Sequence, residues 1–167
     1  MRKIFLIASA LVILSSLNLF ENFFGAENKA DAQRARWQNE VSVSENFAEE
    51  VLYYVNLERE KVGAKPLKLS PHMMQYAAVR AEEISRNFSH TRPDGSSCFT
   101  AVKIAYRSVA ENIAAGQNSS EKVVESWMNS EGHRENILDP KLGKIGIGYF
   151  NAPDSAYKHY WVQLFKD

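Results

Sequence analysis

The sequence predicts an α+β fold in which helices pack on an antiparallel sheet, and three observations predict it. Apolar residues recur at helical spacing through most of the chain, strict alternation of apolar residues begins only near the C-terminus, and no strand–helix–strand rhythm repeats. No internal repeat is visible.

Ahead of the domain, Met1-Arg2-Lys3 precedes an apolar run from Ile4 to Leu14 and a polar stretch ending in Ala30-Asp31-Ala32. A basic start, an apolar middle and a small-x-small site are the parts of a secretory signal peptide, cut after Ala32 or earlier, near Gly25-Ala26. An uncleaved anchor is the competing reading, because Leu17, Leu19, Phe20, Phe23 and Phe24 prolong the apolar character. Ser15, Ser16, Asn18, Glu21 and Asn22 interrupt it before it reaches the roughly 20 residues that a spanning helix needs. The expected division is a signal peptide over 1–32, a loose leader over 33–46 and one domain over 47–167. The mature chain is then extracytoplasmic and has no membrane span.

The first helix is expected from Ser44, a plausible N-cap, to about Lys61, with Phe47, Val51, Leu52 and Val55 on its apolar face and Gly63 ending it. Ser70-Pro71 opens a second helix, whose stripe reads Met74, Ala77, Ala78, Ala81 and Ile84. Pro93, Asp94 and Gly95 among serines make the stretch from Ser89 to Ser97 a loop. A polar loop from Gly116 to Ser120 caps a third helix, in which Val123 pairs with Trp127 and Val124 with Met128. Gly132 is expected to break that helix, with a short helical turn running on to Leu138 before Asp139-Pro140. Ile145, Ile147 and Tyr149 then alternate with Gly146, Gly148 and Phe150, and a turn-rich loop leads to a second alternating run from Tyr157 to Phe165, which together read as an antiparallel hairpin.

Twenty Lys and Arg balance twenty Asp and Glu, so no nucleic acid or other polyanion is expected as a partner. Cys98 is the only cysteine, so the domain has no internal disulfide and a hydrophobic core must hold it. The thiol reads as a small half-buried hydrophobe, with an intermolecular bridge or a reactive group as alternatives, and the chain is expected to be monomeric.

Four histidines are present, and two sit where a site would use them: His90 in FSHTRPDGSS and His133 in WMNSEGHRENIL. His72 and His159 read as surface residues. Glu111 lies in AENIAAG among small and apolar residues, where a buried carboxylate needs partners that two imidazoles could supply. The long gaps separating the three are not a metal-ligand signature, so a shared site and three separate structural roles both stay open. Trp127 reads as a core anchor, Asn112 and Asn136 as residues that hydrogen-bond backbone and hold their loops, and Gln163 as either a buried polar group or an outer-face residue. No nucleophile signature surrounds Ser89, Ser130 or Cys98.

Taken together, YVNLEREKVGAKPLKLSP, RNFSHTRPDGSS, AENIAAG, VVESWMNSEGHRENIL, IGIGYF and YWVQLF resemble, in this order, the CAP superfamily of cysteine-rich secretory proteins, antigen 5 and pathogenesis-related proteins, and most closely its bacterial SCP-like branch. The resemblance covers roughly Phe47 to Phe165. It implies a three-layer α-β-α sandwich with a central antiparallel sheet, secretion, and a central cleft whose two histidines and two glutamates hold a divalent metal in some members. His90, Glu111 and His133 match three of those four. At the fourth position this chain has Ser130, with Glu131 one residue further on, a shift of about 100° around a helix axis.

The function so implied is a secreted, non-enzymatic binding protein, with a His/Glu cleft able to hold a divalent metal such as zinc and a groove for a small hydrophobic or lipid-like ligand. One alternative is a metal-dependent hydrolase in which His90, Glu111 and His133 ligate zinc, water fills the fourth position, and Glu131 or a water replaces the missing base. The other is a structural or signalling module of the cell envelope.

Overall fold

The computed structural model describes residues 46–167 continuously and, before them, positions 31, 32, 34–36, 38, 39 and 43. The expected signal peptide lies outside the described residues except for positions 31 and 32, and so does the Ser44 cap. Every described position of the expected leader is helical. Val43–Asp167 forms a compact unit of its own.

Helix α1, described over 46–61, buries Ala48, Val51, Val55 and Arg59, a three-four-four spacing that keeps one face inward. It ends at Gly63, whose φ of +71° suits glycine. Arg59 is fully buried and donates to four carbonyls, Lys65 O at 2.7 Å, Ile137 O at 2.7 Å, Asp139 O at 3.0 Å and Leu142 O at 3.1 Å, so one guanidinium ties two connecting segments, the one after α1 and the one over 137–142, whose oxygens would otherwise be buried unpaired. After α1 come β1 (Lys68–Leu69), α2 (Pro71–Arg86), a short 3-10 turn (Cys98–Ala101), β2 (Val109–Ala115), α3 (Ser120–Met128), α4 (Glu131–Leu138), β3 (Lys144–Ala152) and β4 (Lys158–Lys166).

The sheet runs β1-β3-β4-β2, with β1 parallel to β3 and the other pairs antiparallel. The predicted hairpin is β3–β4. Strand β2 was not expected from the sequence: Glu111 and Asn112 break the apolar alternation that marks a strand, because both point at polar partners. Alternation along β4 splits the core in two. Tyr160, Val162 and Leu164 pack with Met73, Ala77, Ala81 and Ile84 of α2, whereas Trp161 and Phe165 pack with α1, α3 and α4. This is the three-layer α-β-α sandwich, with the sheet in the middle.

Two sequence readings change. The buried stripe of α2 is Met73, Ala77, Arg80, Ala81 and Ile84. Met74 is half-buried and Ala78 exposed, because the helix is rotated to bring Arg80 inward. Gly132 does not break a helix: α3 ends at Met128, and Gly132 lies within the first turn of α4.

Gly146 and Gly148 explain how closely α2 lies on β3. A Cβ at Gly146 would stand 2.1 Å from the Met73 carbonyl oxygen, and one at Gly148 2.1 Å from that of Ala77. Gly148→Ala must therefore push the helix off the sheet, and it should cost about 1–3 kcal/mol or more in denaturant unfolding. Trp127→Ala, which empties a site only 1% exposed and removes the bond from Nε1 to Ile113 O at 3.2 Å, should cost about 3–5 kcal/mol. Unchanged midpoints would mean that neither contact holds the layers together.

Candidate functional site

Strand β2 is an edge of the sheet, and consecutive residues on it point to opposite faces. Glu111 turns toward α2 and Asn112 toward α4. The site is built around this divergence.

On the α2 side, Glu111 is 5% exposed and both carboxylate oxygens are engaged. Arg80 Nε donates to Oε2 at 2.8 Å and Arg80 Nη2 to Oε1 at 3.2 Å, a two-pronged pair, while His90 Nδ1 lies 2.8 Å from Oε1. Arg80 is itself fully buried; it also donates to Glu83 Oε2 at 2.6 Å and to Ser89 O at 2.8 Å. Glu83 in turn accepts from Arg92 Nη2 at 2.6 Å. Two guanidiniums and two carboxylates thus balance in charge, and the last bond anchors the loop that carries His90. That loop is closed by the turn expected at Pro93-Asp94-Gly95: Gly95 has φ +81° and donates to Arg92 O at 2.9 Å, and Asp94 Oδ1 accepts from Ser96 N at 2.9 Å.

Burial by itself would raise the Glu111 pKa, but the bond from His90 and the bonds and charge of Arg80 outweigh it and hold the carboxyl below its ordinary value. An ionised carboxylate only accepts, so the neutral His90 ring carries its proton on Nδ1 and leaves Nε2 as an acceptor. The ring is oriented by a buried group, yet its side chain is 55% exposed.

Cys98 is buried beside this pair, its backbone N donating to His90 O at 2.9 Å. His90, Cys98 and Glu111 each place a ligand-capable atom within 4.8 Å of the others. Burial and the Glu111 charge push the thiol up to about 11, so it stays protonated at neutral pH. A cleft of about 340 Å³ opens here, lined by His90, Cys98, Phe99, Val109, Glu111 and Asn136 among others.

On the α4 side, Asn112 Nδ2 donates to His133 O and to Gln163 Oε1, both at 3.0 Å, and accepts at Oδ1 from Asn136 Nδ2 at 2.8 Å. Gln163 is fully buried, so it is not an outer-face residue, and its Nε2 has no partner among the described residues. His133 is half-buried in the first turn of α4. Burial, followed by the repulsion that a protonated His90 would exert, holds its imidazole below the ordinary value.

The structure therefore brings Glu111 into contact with His90 and places His133 near His90 on the other side of the strand. Ser130 is the N-cap position of α4 without a side-chain capping bond, and Glu131 is exposed; neither lines the cleft. His72 is exposed. His159 is half-buried instead of a free surface residue, its Nδ1 2.8 Å from the Tyr149 hydroxyl. The residues that sequence reasoning missed are Arg80, Glu83 and Arg92. Arg80 could have been found: it stands seven residues after Met73 and three after Ala77, on the apolar stripe itself, where a charge must have a partner.

Comparison with known proteins gives a consistent picture. The model of the family described as CAP, cysteine-rich secretory protein family, matches residues 52–165. The chain is similar to the uncharacterized protein YkwD of Bacillus subtilis, 37% identical over 71% of this chain and 46% of that protein. It is also similar to the uncharacterized membrane protein YlbC of the same organism, 27% identical over 68% of this chain and 33% of that one. The chain thus spans less than half the length of these relatives. Among solved structures, an extracellular SCP-domain protein of Bacillus anthracis superposes with a TM-score of 0.64 at 22% identity, over 74% of this chain and 41% of that one. An outer surface protein of Borrelia burgdorferi superposes with a TM-score of 0.60 at 23% identity, over 68% and 86%.

The lowered His133 pKa has a testable sign. Between the unfolded value of about 6.5 and the lower folded value, the unfolded chain binds more protons, so the stability present above that window falls as pH drops through it. Melting temperature should decline from pH 7.5 through that window, and His133→Gln should flatten this part of the curve. Glu111, also lowered, acts further down: its contribution is present above about 4.3 and is lost as pH falls through the folded value. A His133→Gln curve parallel to wild type would mean that His133 is not desolvated.

Proposed function

Since the chain belongs to the cysteine-rich secretory protein (CAP) family, we propose that it works outside the cytoplasm as a binding domain, whose cleft beside β2 takes a small amphipathic, lipid-like molecule. The observation that carries this reading is the combination at the cleft mouth: an imidazole fixed by a buried carboxylate but itself 55% exposed, set against apolar walls from Phe99 and Val109. The imidazole and Asn136 would hold a polar head, and the walls an apolar body. At about 340 Å³ the cleft falls within the size of small-molecule sites. A second groove of about 540 Å³ along α1, walled by Leu52, Tyr53, Leu57, Ala64 and Pro66, offers further apolar surface.

Two features disfavour hydrolysis. The Cys98 thiol is protonated, with a pKa of about 11, so it is a poor nucleophile. Glu111 is already neutralised by Arg80, so it is not a free general base and is a weak member of a zinc triad. No described helix is long and apolar enough to cross a membrane.

The reading is tested by titrating the isotope-labelled protein with a long-chain alcohol, whose hydroxyl can donate to the exposed His90 Nε2, below its solubility limit. Amide shifts should gather at His90, Phe99 and Val109, and His90→Ala should weaken affinity about fivefold, the loss of one neutral hydrogen bond. Shifts confined to Leu52, Tyr53 and Leu57 would move the ligand to the α1 groove. No shifts, together with zinc-dependent cleavage of a peptide substrate, would replace the reading with a hydrolase.

A further inference from the structure

The family resemblance implies a divalent metal among His90, Glu111 and His133, and the residues present do not fit it. A metal-ligating carboxylate needs a free lone pair directed at the ion. The two Glu111 oxygens instead receive Arg80 at 2.8 and 3.2 Å and His90 at 2.8 Å. We propose that Arg80 is the resident cation of this cleft: a tethered guanidinium neutralises Glu111 from beneath and excludes a divalent metal.

Three observations support this independently of which ligand the cleft takes. Arg80 is fully buried and its donors go to Glu111, Glu83 and Ser89 O, so it is locked in place and does not swing aside to admit an ion. The network Arg80–Glu111–Glu83–Arg92 is balanced in charge, and a divalent ion would leave it with two excess positive charges in a poorly solvated place. The position that would complete a four-ligand site holds Ser130, and the adjacent Glu131 is exposed and does not line the cleft. His90 then has a role that needs no metal: Glu111, held ionised by Arg80, orients the ring, which makes Arg80 a positioning residue for the imidazole.

The experiment is zinc titration of the purified protein by calorimetry at pH 7.5, with His90→Ala as the comparison and Arg80→Met as the converting variant. The unaltered protein should bind zinc no better than His90→Ala does. Arg80→Met removes the like charge from beside Glu111 and should bind zinc roughly tenfold or more tightly than the unaltered protein, with a melting temperature that zinc raises. If Arg80→Met is unfolded alone and zinc restores its near-ultraviolet circular dichroism, the conclusion is the same. Zinc binding by the unaltered protein that His90→Ala abolishes would overturn the proposal, whatever the state of Arg80→Met. So would a folded Arg80→Met that gains no zinc affinity.

Discussion

The buried pair of Arg80 and Glu111 is the constraint on which the site end of this fold depends. Neither side chain has appreciable access to water, and removing a guanidinium and a carboxylate from solvent costs several kcal/mol each unless every donor and acceptor finds a partner. The partners that meet this requirement define the local structure. Glu83 binds Arg80 within α2, Ser89 O draws in the start of the loop after α2, and His90 caps the carboxylate from the cleft side. The orientation of the imidazole thus follows from satisfying a charge.

The pair forms only because α2 lies unusually close to the sheet. Gly146 and Gly148 leave no side chain between the strand and the carbonyls of Met73 and Ala77, and the small residues Ala77 and Ala81 continue the close contact on the helix. At that distance the arginine three residues after Ala77 reaches across to β2. The opposite face is filled differently, by Trp127, Trp161, Phe165 and Ile137, and there Asn112 performs the service for α4 that Glu111 performs for α2. One edge strand thereby fixes both walls of the cleft through two adjacent polar residues.

Much of this was legible in the sequence. The helical periods, the C-terminal hairpin and the burial of Trp127 follow from periodicity and turn chemistry, whereas the grouping of His90 with Glu111 is one of two open readings of the residues alone, and it is the family resemblance that points to it. Strand β2 was not legible, since the two residues that make it functional, Glu111 and Asn112, also erase its alternation. The rotation of α2 was missed because Met73 and Met74 are chemically equal candidates for the core, and only the unexpected burial of Arg80 decides between them. The imidazoles read as natural partners for Glu111, yet an arginine more than thirty residues away in sequence takes most of that role, through hydrogen bonds to both carboxylate oxygens. Nothing local in AENIAAG announces so distant a partner.

The central claim is that Arg80 and Glu111 act as a unit, and a double-mutant cycle tests it most directly. Unfolding free energies would be measured for the unaltered protein, Arg80→Met, Glu111→Leu and the double variant. Each single change strands a buried charge and should cost about 3–5 kcal/mol. The double variant removes both charges, and its loss should fall short of the sum by about 1–3 kcal/mol. Losses that add to within about 0.5 kcal/mol would mean that the two residues stabilise the fold separately, and would contradict the account.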